Sequence, residues 1–125
     1  MKDSFKSYRD LEVWQKSMGL AKEVYQVTSS FPTDEKFGLT NQMRRAAVSI
    51  PSNLAEGHAR SGTQEFKHFI SMAIGSVAEL ETQILLSAEL GYLNENRKSD
   101  LFEQLDIIGK MLRGLYKSLN KKERM

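Results

Sequence analysis

The sequence predicts an all-α protein, an up-down-up-down four-helix bundle, on three observations. Apolar residues recur at spacings of three and four rather than two, only two prolines occur in 125 residues, and short turn-rich segments separate four long apolar stripes. A chain of this length builds one core, so residues 1–125 are read as a single bundle domain with short basic tails at both ends.

The first helix carries Leu11, Trp14, Met18, Ala21 and Tyr25, and Phe31-Pro32 closes the segment because proline cannot continue a helix. A second row, Val13, Leu20, Val24 and Val27, lies beside the first. Together the rows span about 200° of the helix, twice what one core-facing stripe needs. One helix therefore faces two neighbours: the flanking helices of the same subunit can absorb the second row, but the preferred reading is self-association, with Val13, Leu20, Val24 and Val27 as the expected oligomer interface together with parts of the second and third helices. The second helix shows Leu39, Met43, Ala46, Ile50 and Leu54 and reaches Gly57 or Arg60. Pro51 stands inside it, but the apolar rhythm continues across the ring, which predicts a kink at Pro51 with Ser49, Ser52 or Asn53 near the freed Ala47 carbonyl. A true break, with Ser52 or Asn53 capping a separate helix, is the alternative.

Ser61-Gly62-Thr63 starts the third helix, with Glu65 placed to reach back to the cap. Its stripe of Phe66, Ile70, Ala73, Val77, Leu80 and Ile84 is spaced 4-3-4-3-4, and Gly91 supplies a stop after Leu90. Asn94 or Asn96 opens the fourth helix, whose stripe of Leu101, Leu105, Ile108, Leu112, Leu115 and Leu119 repeats that spacing. Gly19, Gly75, Gly109 and Gly114 fall within helices, where close helix approach is the expected compensation for their cost.

No cysteine is present, which excludes disulfides, thiolate metal sites and a cysteine nucleophile. A polar amino terminus and no apolar run near 18 residues point to a cytoplasmic protein without a membrane partner. Glu65 and His68 have the Glu-x-x-His spacing of di-iron bundles, but no second such motif exists, so no metal or cofactor is expected. The serines lack a positioned base, and Glu79 and Glu81 point about 200° apart on one helix, so no catalytic residue is assigned and an enzyme is not expected. Arg44 and Arg45 are read as structural ion-pair partners of Glu56, Glu79 and Glu81, within the subunit or between subunits, with a role as phosphate ligands the alternative.

The net charge of +2 conceals an uneven distribution. Lys2, Lys6 and Arg9 against Asp3 leave the first nine residues at +2, and Lys110, Arg113, Lys117, Lys121, Lys122 and Arg124 against Glu123 leave residues 107–125 at +5. Lys110, Arg113, Lys117 and Lys121 fall on one side of the fourth helix, opposite its leucine stripe, over about three turns. Helix-dipole complementation reaches only the last turn. In an up-down bundle this end also gathers Arg60 and Lys67, so these six side chains are the expected nucleic-acid-binding set.

Tyr8-Arg9-Asp10-Leu11-Glu12-Val13-Trp14, Phe31-Pro32, Phe37-Gly38-Leu39, the stretch RRAAVSIPSNLAEG at 44–57, Glu65-Phe66, Gly75-Ser76 and Glu79-Leu80-Glu81-Thr82-Gln83 resemble the four-helix bundle proteins encoded within intervening sequences of bacterial 23S rRNA genes. Gly62 departs from the capping serine usual in such sequences. That family is similar to the accessory variability protein of diversity-generating retroelements, a homopentameric barrel that binds a reverse transcriptase and nucleic acid. The resemblance implies a homo-oligomer, pentameric by analogy, with DNA or RNA and a reverse transcriptase as candidate partners. The resulting expectation is a non-enzymatic homo-oligomeric accessory protein that binds nucleic acid through its basic end. A protein–protein adaptor holding an enzyme, and a purely structural oligomer, are the alternatives.

Overall fold

The computed structural model describes residues 7–124, with side chains through Lys121. Four helices follow in order: α1 (Glu12–Thr28), α2 (Leu39–Ala59), α3 (Thr63–Glu89) and α4 (Glu95–Arg124), with single 3-10 turns at Tyr8–Asp10 and Thr33–Glu35. Backbones approach closely for α1/α2, α2/α3, α3/α4 and α1/α4, and not for the diagonal pairs among the described residues. That is the square cross-section of an up-down-up-down bundle.

The stripes of α2 and α3 lie wholly in the core, as does that of α4 except for the half-buried Leu115. The expected rows of α1 are in part interchanged: Leu11 and Ala21 of the first row are buried, but the second row is the one that lies wholly in the core. Val13, Leu20, Val24 and Val27 are 0–5% exposed and point into the subunit's own core, so they are not available as an oligomer interface. Ser17 completes their row at 0% exposure, its hydroxyl donating to the Val13 carbonyl at 2.7 Å. With Ser17 included, the inner row reads 4-3-4-3, the rhythm of the other helices. Met18 and Tyr25 stay nearly half exposed and Trp14 is half-buried.

α2 runs unbroken through Pro51, so the alternative of a separate capped helix does not hold. Ser49 Oγ donates to the Ala46 carbonyl at 3.0 Å and Asn53 Nδ2 to the Ser49 carbonyl at 2.7 Å, neither reaching Ala47. Ser49 Oγ also bonds Ser76 Oγ on α3. Gly57 closes the motif against α3, where an added Cβ would stand 2.6 Å from Phe69 Cβ and 3.1 Å from Phe66 Cδ1. Gly19, Gly75 and Gly114, in contrast, have nothing within 4 Å of an added Cβ, so close approach within the subunit does not explain them.

The α3 cap also differs from expectation. Gly62 adopts φ 105° and no side chain caps the helix, while Glu65 turns to Arg60 at 3.9 Å. At the other end Gly91, at φ 83°, ends α3 with Tyr92 N–H donating to the Ser87 carbonyl at 2.9 Å. Asn94 Oδ1 then accepts from Arg97 N–H at 2.8 Å and starts α4. Here the two turns are joined: Phe31 and Tyr92 rings pack 5.3 Å apart, and Tyr92 O–H donates to Glu35 Oε2 at 3.1 Å. α3 has the length and apolar composition of a membrane-crossing helix, yet one side of it, Phe66 to Ile84, is consumed by the core.

Candidate nucleic-acid interface

The leucine stripe of α4 must face inward, which forces the residues opposite it outward. Lys110, Arg113, Lys117 and Lys121 are all exposed and share one side of the helix, over about 17 Å of its axis. Lys110 Nζ pairs with Asp106 Oδ2 at 3.0 Å, an exposed i, i+4 contact worth a few tenths of a kcal/mol at about 0.3–0.5. Arg113, Lys117 and Lys121 pair with no carboxylate among the described residues.

The other two expected members behave differently. Lys67 is 8% exposed: its stem lies in the α3/α4 seam and its Nζ sits 5.2 Å from the Tyr116 ring centre. This lysine ties α4 to the start of α3 and is withdrawn from the surface in the subunit. Arg60 is exposed, but its Nη2 donates to Glu56 Oε2 at 2.9 Å, Nη1 lies 3.9 Å from Glu65, and the guanidinium covers the Phe69 ring at 5.1 Å. Two nearby carboxylates offset its charge. Lys2 and Lys6 lie outside the described residues, as do the side chains of Lys122 and Arg124. The exposed cationic stripe of the described subunit therefore reduces to Arg113, Lys117 and Lys121, with Lys110 at its margin.

The expected ion pairs of the central motif are not formed within the subunit. Arg44 instead crosses to the end of α1, its Nε donating to Thr28 Oγ1 at 2.9 Å, its Nη2 to the Tyr25 carbonyl at 3.3 Å, and its plane lying 4.6 Å from the Tyr25 ring centre. The carbonyls at a helix C-terminus attract a cation, and Arg44 supplies it. Arg45 is exposed without a carboxylate partner among the described residues, Glu56 serves Arg60, and Glu79 Oε2 accepts from Gln83 Nε2 at 3.3 Å. Glu81 lines the shallow α3/α4 groove beside Arg113, without an ion pair between them.

A further surface feature was hidden behind the interchanged rows of α1. Tyr8, Trp14, Met18, Tyr25, Val48 and Pro51 line an open, mostly apolar groove of about 460 Å³ between α1 and α2. Around it Met18 is 47%, Tyr25 45% and Val48 40% exposed. On α3, Met72 and, about 21 Å further along, Leu85 and Leu86 are also more than 40% exposed, as is Leu90 at its C-cap.

The fold is shared with known proteins. A solved structure of a protein of unknown function from the S23 ribosomal protein family of Bacteroides thetaiotaomicron superposes with a TM-score of 0.79, covering 94% of this chain and 99% of that one at 20% identity. At that identity the likeness speaks to fold alone. No curated protein matches the chain. The family model for the 23S rRNA-intervening sequence protein matches residues 9–114, from the 3-10 turn before α1 to the middle of the α4 basic stripe. The chain belongs to the 23S rRNA-intervening sequence protein family.

Proposed function

We propose that the protein is a non-enzymatic homo-oligomeric accessory protein that binds nucleic acid along α4. The observation that carries this reading is the row of exposed cations Arg113, Lys117 and Lys121 with no carboxylate partner among the described residues. Such a row contacts phosphates rather than base edges, so binding depends steeply on salt and weakly on sequence. Self-association follows from the groove beside Trp14, Met18 and Tyr25, since an apolar surface of this kind is stable in water when covered by a second copy. Assembly repeats the stripe around the oligomer and raises the local potential that a subunit charge of +2 conceals. A ring of five, and kinship to a retroelement accessory protein, belong to this proposal through family resemblance.

The test is binding of purified protein to duplex DNA and to structured RNA across a salt series. Association at about 50 mM salt is expected, with replacement of Lys117 and Lys121 by glutamine lowering the slope of log K against log salt by about 2 per engaged subunit. Lys117→Glu together with Lys121→Glu abolishes binding and leaves assembly intact. Absence of association with both nucleic acids at low salt overturns the reading. The apolar groove itself favours a second reading, an adaptor that holds an enzyme such as a reverse transcriptase, in which charge reversal on α4 leaves partner binding unchanged.

A further inference from the structure

At the end of the bundle opposite the basic stripe, the turn from α1 to α2 borders an open, half-polar pocket of about 220 Å³, with Phe31 and Pro32 among its walls. Thr28, Ser29, Thr33, Lys36, Thr40 and Arg44 supply its polar lining, and no carboxylate among the described residues contributes to it. The neighbouring Glu35 is directed elsewhere, accepting from Leu39 N–H at 3.0 Å and from Tyr92 O–H at 3.1 Å. Asp34 is exposed and does not line the pocket.

The donors differ in how far they are already used. Thr28 is spent, because its hydroxyl donates to the Val24 carbonyl at 2.7 Å and accepts from Arg44 Nε. Ser29 Oγ donates to the Gln26 carbonyl at 2.7 Å. Arg44 is held in place by Thr28, the Tyr25 carbonyl and the Tyr25 ring, which orders its guanidinium while leaving further N–H groups without a partner. Lys36 is exposed and makes no ion pair among the described residues. Thr40 is the informative residue: it is only 8% exposed, it lines the pocket, and its hydroxyl makes no hydrogen bond among the described residues. Although the residue as a whole is buried, its oxygen is not among the buried polar atoms left without a partner, so the hydroxyl opens to solvent at the pocket wall and is free to bond a ligand there. On α2 Thr40 and Arg44 stand one turn apart on the same face.

We propose that this pocket binds a phosphate dianion, with Arg44 and Lys36 supplying charge and Thr40 a hydrogen bond. Two cations with no acid in the lining match two negative charges better than one. Donors arriving from α2 and from the preceding turn suit a tetrahedral oxyanion rather than a planar carboxylate. The anion can be free phosphate or the phosphate of a nucleoside monophosphate, whose base would meet Phe37, an aromatic ring 85% exposed beside Lys36. This site is separate from the α4 stripe and stands or falls independently of nucleic-acid binding.

The experiment is a titration of the isotope-labelled full chain with sodium phosphate, adenosine monophosphate and sodium acetate at matched ionic strength, followed by amide chemical shifts. Phosphate is expected to give saturable shifts confined to residues 28–44. Thr40→Val, which keeps shape and removes the hydroxyl, weakens phosphate binding about tenfold, and Lys36→Gln weakens it severalfold, both with unchanged circular dichroism. Tighter binding of adenosine monophosphate assigns the source to a nucleotide, and equal or weaker binding assigns it to free phosphate. The proposal is overturned if phosphate shifts do not saturate, if acetate reproduces them, or if both variants bind phosphate as the wild type does.

Discussion

Individual residues of the segment RRAAVSIPSNLAEG act as joints between α2 and its neighbours. Arg44 fastens α2 to the end of α1, Ser49 reaches Ser76 on α3, Pro51 forms part of the α1/α2 groove, and Gly57 lets α3 approach. Gly57→Ala sets two effects against each other. Helix propensity favours alanine by about 1 kcal/mol, whereas overpacking against Phe69 Cβ costs about 1–3 kcal/mol. The Phe69 contact involves a Cβ atom, which cannot move without its helix, so the variant is expected to be less stable in urea unfolding. Tyr92 offers a pH-dependent test. Its phenol is raised above the usual value of 10.0 by the hydrogen bond to Glu35, then by burial and by the negative charges of Glu35 and Asp34. A raised folded-state value means that the folded protein holds this proton more tightly than the unfolded chain. The stabilisation is full below about pH 10 and is lost as pH climbs through the folded-state value. Tyr92→Phe is therefore expected to be less stable than wild type at pH 8, with the gap narrowing by pH 11 in the same unfolding assay. Its burial partners were not legible beforehand, nor was the burial of Lys67, because both depend on which turns and seams meet at one end of the bundle.

At the scale of elements, α2, α3 and α4 were legible because each has one apolar stripe with unbroken spacing. α1 misleads for a specific reason: Ser17 interrupts the inner row, so the outer row with Trp14 and Tyr25 reads as the more regular one. A small residue bonding its own helix backbone fits a core as well as a methyl group does, and spacing alone does not distinguish that from a surface serine. Gly19 and Gly114 give a prediction of this kind. Both lie in helices with open space at the missing Cβ, so Gly19→Ala and Gly114→Ala should each raise subunit stability by up to about 1 kcal/mol in urea unfolding. If either surface lies against another copy, the same substitution instead weakens assembly, which sedimentation detects. The α4 stripe was legible in position but overfilled: its four exposed members follow from the helix period, while the removal of Arg60 and Lys67 follows from Glu56, Glu65 and Tyr116, which only the fold brings near.

For the whole molecule, the bundle closes its own core through the inner row of α1 with Leu11 and Ala21 of the outer row, and leaves Met18 and Tyr25 uncovered, together with Val48 of α2, Met72 and Leu86 of α3 and Leu90 just past its end. The stripe on α4 faces away from its own leucines, and in one subunit only Arg113, Lys117 and Lys121 of that stripe lack a carboxylate partner among the described residues. Under the proposed function, assembly would cover the apolar surface and repeat the charge. The most direct measurement is sedimentation velocity at micromolar concentration of the wild type and of Met18→Glu, which puts a carboxylate in the α1/α2 groove without touching the core. The wild type is expected to sediment as an assembly several times the 14.3 kDa subunit, and the variant as a folded single subunit with unchanged helix content. A wild-type protein that sediments as a stable, soluble 14.3 kDa species contradicts the account.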